Sequence, residues 1–215
     1  MGERIKEIIK ILYESILDII YPYEYKCIIC EAEEVMGICP RCKNKISKVK
    51  IQDEILSYGY YGGVLKELIF QFKYKNNFTS GKIISKLLEE IIKEQNIIAD
   101  VICYVPMCKK SIKKRGYNQC EIIAKDLSKE LKIPVAHCMK KIKQTKEQKT
   151  LSKAEREINI LGAFEVTNKN DIENKNILLI DDVLTTGATV KECSKILRKY
   201  NVNKVTVLTI AKSNI

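Results

Sequence analysis

The chain has 215 residues, 46% of them apolar, and carries 38 Lys and Arg against 27 Asp and Glu, a formal charge of +11. That length and apolar content suit one α/β domain with a small appendage, and they exclude wholesale disorder. Ile, Lys and Asn are abundant throughout, so the charge has weight only where it concentrates. It concentrates between Cys103 and Ile160, where 15 Lys or Arg stand against 6 Asp or Glu. Such a segment favours polyanionic partners, either nucleic acid or a phosphate-rich small molecule.

Ile5, Ile8, Ile9, Leu12, Ile16, Ile19 and Ile20 recur at the spacing of an amphipathic helix, which Pro22 ends. Glu3, Lys6, Glu7, Lys10, Glu14 and Asp18 interrupt that stripe, so it reads neither as a signal peptide nor as a membrane span. A cytoplasmic location is expected, with the inner face of the membrane as the alternative. Nine cysteines in such a setting are expected to be ligands or buried thiols rather than disulfides.

Four of them are patterned. Cys27 and Cys30, then Cys39 and Cys42, form two CxxC pairs within a segment too short for a core of its own. Two such knuckles supply four soft ligands, which suits structural Zn²⁺ with no open coordination position. Sulfur ligation alone does not decide between zinc and an iron–sulfur cluster. Cys103, Cys108, Cys120, Cys138 and Cys193 lack ligand spacing, and His137 has no obvious acid partner.

Residues 43–57 read as a polar connection. Beyond it, Leu65 to Phe72, Ile83 to Ile92, Asn118 to Leu131 and Thr189 to Tyr200 have helical character. Asp100 to Pro106, Asn176 to Ile180 and Lys204 to Ile210 read as buried strands. The final β-α-β order predicts a parallel pair.

The most informative stretch runs from Ile177 to Thr189. Four aliphatics are followed by Asp181 and Asp182, then by the turn Thr185, Thr186, Gly187, Ala188 and Thr189, then by a helix. Ligands sit at the carboxyl ends of parallel strands. Backbone amides and hydroxyls in that turn can cradle a phosphate, while two acids suit ribose hydroxyls or the water shell of Mg²⁺. An N-capped helix after a strand accounts for one capping residue, but not for two acids plus Thr-Thr-Gly.

This stretch resembles the signature of type I phosphoribosyltransferases, which bind phosphoribosyl pyrophosphate. The resemblance implies that Asp181 and Asp182 contact the ribose. It also implies that Thr185, Thr186, Gly187, Ala188 and Thr189 hold the 5-phosphate. The middle of the chain is similar to the ComF family through Val105-Pro106, Lys113 to Gln119, Gln148, Leu151, Arg156, Asn159 and Gly162-Ala163-Phe164. The N-terminal helix and the four cysteines extend that similarity over nearly the whole chain. It implies a type I phosphoribosyltransferase-like α/β fold, a parallel sheet flanked by helices, over residues 51–215. Residues 1–50 would form a small helix plus a zinc-ribbon-like module. It also implies a place in natural competence, supporting DNA uptake across the inner membrane. Where the family usually has Arg ahead of Gln148, this chain offers Lys140, Lys141 and Lys143, which keep the charge but not the bidentate fork.

Phosphoribosyl transfer expels pyrophosphate from C1 of the ribose, so its developing charge must be neutralised and water excluded. The turn from Val105 to Lys109 is the expected pyrophosphate loop. Lys109, Arg115 and Arg156 are the expected cations, with Mg²⁺ bridging substrate oxygens. Gln144 to Asn159 reads as a flap. No general base is identifiable. Two uses of one site therefore stand: transfer to an acceptor, or sensing of phosphoribosyl pyrophosphate or a nucleotide within the DNA-uptake machinery. Single-stranded DNA is the rival partner for the same charge, since Tyr58, Tyr60, Tyr61, Phe70, Phe72 and Tyr74 precede Arg115 and Tyr117. Their spacing reads as core. A zinc-ribbon nucleic-acid adaptor ranks last, because residues 26–43 carry few basic residues and several glutamates.

Overall fold

A computed structural model describes residues 25–50, 55–143, 145 and 152–213, together with Leu12. The N-terminal apolar stripe, Leu12 excepted, lies outside the described residues.

The elements follow in chain order. A short helix α1 (Pro40–Lys43) lies in the cysteine segment. Strand β1 (Ile55–Tyr60) leads to helices α2 (Gly63–Tyr74) and α3 (Phe78–Glu94). Strand β2 (Val101–Tyr104) is followed by α4 (Lys109–Arg115) and α5 (Gln119–Leu131). A short hairpin arm β3 (Met139–Lys141), helix α6 (Lys153–Ile160) and the second arm β4 (Phe164–Val166) come next. Strand β5 (Asn176–Leu184), helix α7 (Ala188–Leu197), a 3-10 turn (Arg198–Tyr200) and strand β6 (Lys204–Lys212) complete the described chain.

Strands β1, β6, β5 and β2 lie side by side in that order, all parallel, while β3 and β4 form a separate antiparallel pair. The period of two in a strand then divides the core. Leu178, Ile180, Leu208, Ile210 and Ile102 pack towards α2, α3 and α5. Ile177, Leu179, Val205, Val207, Val101 and Cys103 pack towards α7 and the β3–β4 hairpin. A sheet covered on both faces explains why these strands read as continuous aliphatic runs.

The cysteine segment docks on the first of these faces. Cys27, Cys39, Cys42 and Ile46 are buried in the same cluster as α2 and α3. Lys43 on α1 pairs with Glu90 on α3 at 2.5 Å. Lys48 bridges to Gly59 on β1. Part of the expected polar connection is therefore structured: Ile55 begins the edge strand, and Lys48 lies against it.

Three local readings change. Strand β5 runs through both acids to Leu184 rather than stopping at Ile180, because Asp181, Val183 and Leu184 keep their register with β6. Within the expected flap, Gln144 to Asn159, the chain forms α6, which Ser152 and Glu155 start with a reciprocal capping box; residues 144 and 146–151 lie outside the described residues. The aromatic run before Arg115 divides. Tyr58 and Phe72 are buried, whereas Phe70 and Tyr74 are exposed. One turn of helix separates Phe70 from Tyr74, so both stay on the outer side while Leu65, Leu68, Ile69 and Phe72 take the inner one.

Candidate functional site

The carboxyl ends of β2 and β5 open onto a cavity of about 300 Å³. Its walls include Val105 to Cys108, Arg115 and Gln119 on one side, and Asp181 to Thr185 with Gly187 to Val190 on the other. Lys141 and Phe164 from the hairpin close it further. Of the residues singled out in the sequence, Asp181, Asp182, Arg115, Thr185, Gly187, Ala188 and Thr189 line this one space. Lys109, Thr186 and Arg156 are not among its lining residues. Lys109 opens α4 one residue beyond Cys108, which does line it, and Thr186 accepts from the Ala188 amide at 3.4 Å. Arg156 sits on α6.

Two glycines set the backbone here. Gly187 immediately precedes α7 at φ +78°, and Gly116 closes α4 at φ +90°. Both lie in the left-handed region that glycine enters without penalty. A side chain at Gly187 would meet only ordinary contacts, Leu184 Cδ1 at 3.6 Å and Lys191 Cε at 3.7 Å. The residue is therefore required for conformation rather than for space within the protein. It turns the chain into α7, whose first residues Ala188 to Val190 line the cavity, and a helix N-terminus suits an anion.

The acids are held by partners the sequence did not reveal. Asp182 is ion-paired with Lys73, near the C-terminal end of α2. Its Oδ2 also accepts from Gln119 Nε2 at 2.6 Å, and Arg115 in turn donates to Gln119 Oε1. Asp181 Oδ1 accepts from the Asp182 amide at 2.8 Å and lies 3.8 Å from the Cys120 thiol. Asn118 caps α5 through the Cys120 amide at 3.0 Å and donates to the Val105 carbonyl at 3.0 Å, so the start of α5 is tied to the loop after β2.

These surroundings separate the two carboxyls. Burial and the neighbouring Asp182 charge push Asp181 up to about 7. Burial would also raise Asp182, but the Lys73 ammonium beside it outweighs that and holds it below the usual carboxylate range. Lys73 moves reciprocally: burial would lower it, and the Asp182 charge raises it. Adjacent acids whose environments drive them apart mark a site rather than a surface pair. Only burial and helix register place Lys73 here. It lies 109 positions from Asp182 along the chain, so no local pattern could announce it.

The four patterned cysteines also converge. Their Sγ atoms all lie within 4.8 Å of one another, with Cys30 and Cys39 3.7 Å apart. A tetrahedron with metal–sulfur bonds of ~2.3 Å has edges of about 3.8 Å. Cys27 accepts from the Cys39 amide at 3.3 Å and Cys39 from the Cys42 amide at 3.4 Å, as knuckle geometry requires. Burial would raise Cys27, but hydrogen bonds led by the Cys39 amide bring it down to about 6. Burial and the adjoining thiols push Cys42 up to about 12. Four thiolates cannot coexist there without a cation, and the donor set fits a bound metal ion.

Comparison with known proteins follows the same lines. Residues 117–215 match the phosphoribosyl transferase domain family. Competence protein F of Haemophilus influenzae is 30% identical over 200 residues, covering 90% of this chain and 86% of the relative. The chain belongs to the ComF family. Competence protein ComFC of Bacillus subtilis is 28% identical, over 87% of this chain and 78% of that protein. Among solved structures, glutamine phosphoribosylpyrophosphate amidotransferase from B. subtilis aligns at 20% identity with a TM-score of 0.41, over 60% of this chain. This chain spans about a quarter (26%) of that longer one. The fold of this ComF protein is that of a type I phosphoribosyltransferase, a parallel sheet between helices, with the cysteine cluster at its N-terminal end. No helix among the described residues is long and apolar enough to cross a membrane.

The Lys73–Asp182 pair yields a direct expectation. Lys73→Met strands a charge in a largely enclosed position and costs about 3 kcal/mol. The Lys73→Met/Asp182→Asn double variant recovers most of that loss. Urea denaturation of the three proteins measures both differences.

Proposed function

We propose that this ComF protein binds phosphoribosyl pyrophosphate with Mg²⁺ in the cavity at the ends of β2 and β5, and that it acts in natural competence. One observation carries the proposal: two adjacent acids, Asp181 and Asp182, and the glycine turn that opens α7 line one cavity at the end of a buried strand. In this reading Asp181 and Asp182 hold the ribose hydroxyls and the turn from Thr185 to Thr189 holds the 5-phosphate. Arg115, and the loop from Val105 to Cys108, receive the pyrophosphate. Lys109 and Arg156, which do not line the cavity, are assigned supporting cationic roles outside it.

Mg²⁺, when bound with the ligand, supplies charge neutralisation to the pyrophosphate. Lys73 already neutralises Asp182, so the substrate oxygens and water are the natural ligands for that cation. The chain's own contribution is positional. Gln119 links Arg115 to Asp182, so ribose and pyrophosphate contacts share one rigid network. The names of the relatives, competence proteins, support the proposed place in DNA uptake. The cysteine cluster is proposed to hold structural Zn²⁺, and the division at residues 1–50 and 51–215 belongs to the same proposal.

A second reading of the basic surface has its own observation. Phe70, Tyr74 and Phe78 are 43%, 53% and 43% exposed. Phe70 and Tyr74 lie 5.4 Å apart, with Lys75 over the first ring at 5.5 Å and Arg115 over the second at 5.6 Å. Exposed rings among cations suit the stacked bases of single-stranded DNA.

Calorimetry with phosphoribosyl pyrophosphate and Mg²⁺ tests the main proposal. Binding in the micromolar range is expected, with a loss of at least tenfold in Asp182→Ala; absence of heat in the wild type would remove it. For the metal, elemental analysis is expected to find one zinc per chain and no iron. Chelation should lower the melting temperature, and acid should weaken retention because thiolates must be deprotonated to bind. For DNA, fluorescence polarisation of a labelled oligonucleotide is expected to show salt-sensitive binding that Tyr74→Ala weakens by roughly 1–3 kcal/mol.

A further inference from the structure

Two buried thiols, Cys103 and Cys138, belong neither to the four-cysteine cluster nor to the proposed ligand contacts. Strand alternation places the first. Val101, Cys103 and Val105 face the side of the sheet that α7 and the β3–β4 hairpin cover. Cys138 is the residue before β3, where the chain leaves the edge of the sheet. It leaves from a fixed point, because Val135 bridges to Ile102 and the Ala136 amide donates to the Ile102 carbonyl at 2.9 Å. Thr167, just past β4, donates its amide to the Cys138 carbonyl at 2.7 Å. The two sulfurs lie 3.3 Å apart, with Cys103 fully buried and Cys138 1% exposed. A disulfide has ~2.05 Å between its sulfurs, so only a small approach separates this pair from a bond.

The contact also divides the labour between the thiols. The hydrogen bond from Cys103 holds Cys138 below the ordinary thiol range against the effect of burial. The same bond, with burial, pushes Cys103 up. A thiolate is the form that attacks an oxidant, so Cys138 is the sulfur that reacts first and Cys103 the one that resolves. The position of the pair connects it to the cavity. Cys103 lies two residues before Val105, and Cys138 three before Lys141, both of which line the cavity. A bond between the sulfurs joins the strand that leads into one stretch of wall to the hairpin that carries another.

We infer that Cys103 and Cys138 form a reversible disulfide that ties the base of the β3–β4 hairpin to β2 and so fixes one wall of the cavity. The oxidant is a peroxide, which reaches the buried sulfurs when the hairpin opens locally. The Cys138 thiolate attacks one peroxide oxygen. The O–O bond breaks, and the leaving hydroxide takes up the proton that Cys138 gave, as water. The Cys103 sulfur then attacks the Cys138 sulfenic sulfur. The S–O bond breaks, and the second hydroxide leaves as water with the Cys103 proton. Two thiols lose two electrons, and one peroxide becomes two waters. A dithiol reverses the bond by exchange. The pair stands on its own geometry, and only the ligand used to read the wall rests on the phosphoribosyl reading.

The full chain is treated with hydrogen peroxide, its free thiols are blocked, and its peptides are mapped by mass spectrometry. A Cys103–Cys138 linkage that dithiothreitol removes is expected. Amide hydrogen exchange over Met139–Lys141 and Phe164–Val166 is expected to slow on oxidation. The bond closes a loop between residues 35 positions apart, so the melting temperature is expected to rise by about 5 °C or more over Cys138→Ala treated identically. That variant keeps the four-cysteine cluster, which subtracts any effect of peroxide there. Oxidised wild type is expected to bind phosphoribosyl pyrophosphate with Mg²⁺ about threefold or more tightly than reduced, through preorganisation. Absence of the linkage overturns the pair, as does linkage of Cys138 to Cys193 on α7, whose charge it feels. Linkage with unchanged exchange, or with unchanged affinity in a wild type that binds, overturns the control of the wall. If linkage forms and exchange slows while no phosphoribosyl pyrophosphate binds in either state, the pair stands and the phosphoribosyl reading falls. Linkage and exchange need only the wild type, so they decide even where the variant fails to fold.

Discussion

Two adjacent carboxylates at the end of one buried strand repel each other, and this fold relieves the repulsion with a lysine brought from a distant helix. Lys73 holds Asp182 as an anion, and Asp181 is then driven towards its neutral form by burial and by that same charge. The two neighbouring carboxyls are thus driven in opposite directions, Asp182 towards its anion and Asp181 away from it, which limits the uncompensated charge in the core. Gln119 and Arg115 extend the arrangement across the cavity. Remove the lysine, and the strand end loses the charge balance on which the site is built.

The same constraint explains why the cysteine cluster packs where it does. It docks on α2 and α3, and α2 is the helix that delivers Lys73. Gln71, two residues before Lys73, reaches the Ile28 carbonyl between the first two cysteines at 3.5 Å. A segment with no core of its own thus shares the main one. The cysteine loop and the acid-bearing strand thus both contact the last turn of α2, through Gln71 and Lys73 two residues apart.

Much of the site was legible from residue order. The Ile177 to Thr189 stretch reads directly because strand, acids, glycine turn and helix are consecutive, so local chemistry and local geometry coincide. The cysteines read equally well, since ligand spacing is itself the geometry of a knuckle. Lys73 did not read, and neither did the contact of Gln119 with Asp182, because each arises from packing between elements far apart in sequence. The exposed faces of Phe70 and Tyr74 also escaped the pattern, since a helix with aromatics on both sides gives no clear period.

The sequence by itself determined the central strands and main helices, the strand–acid–glycine turn–helix order from Ile177 onward and the four-sulfur cluster. Each is encoded within a few residues by burial pattern, backbone conformation or ligand spacing. The tertiary structure alone decided which acid is charged, which cations face the cavity and which aromatics face solvent. Those properties depend on what a side chain meets across the fold, and burial and partner charges, not neighbours in the chain, set that.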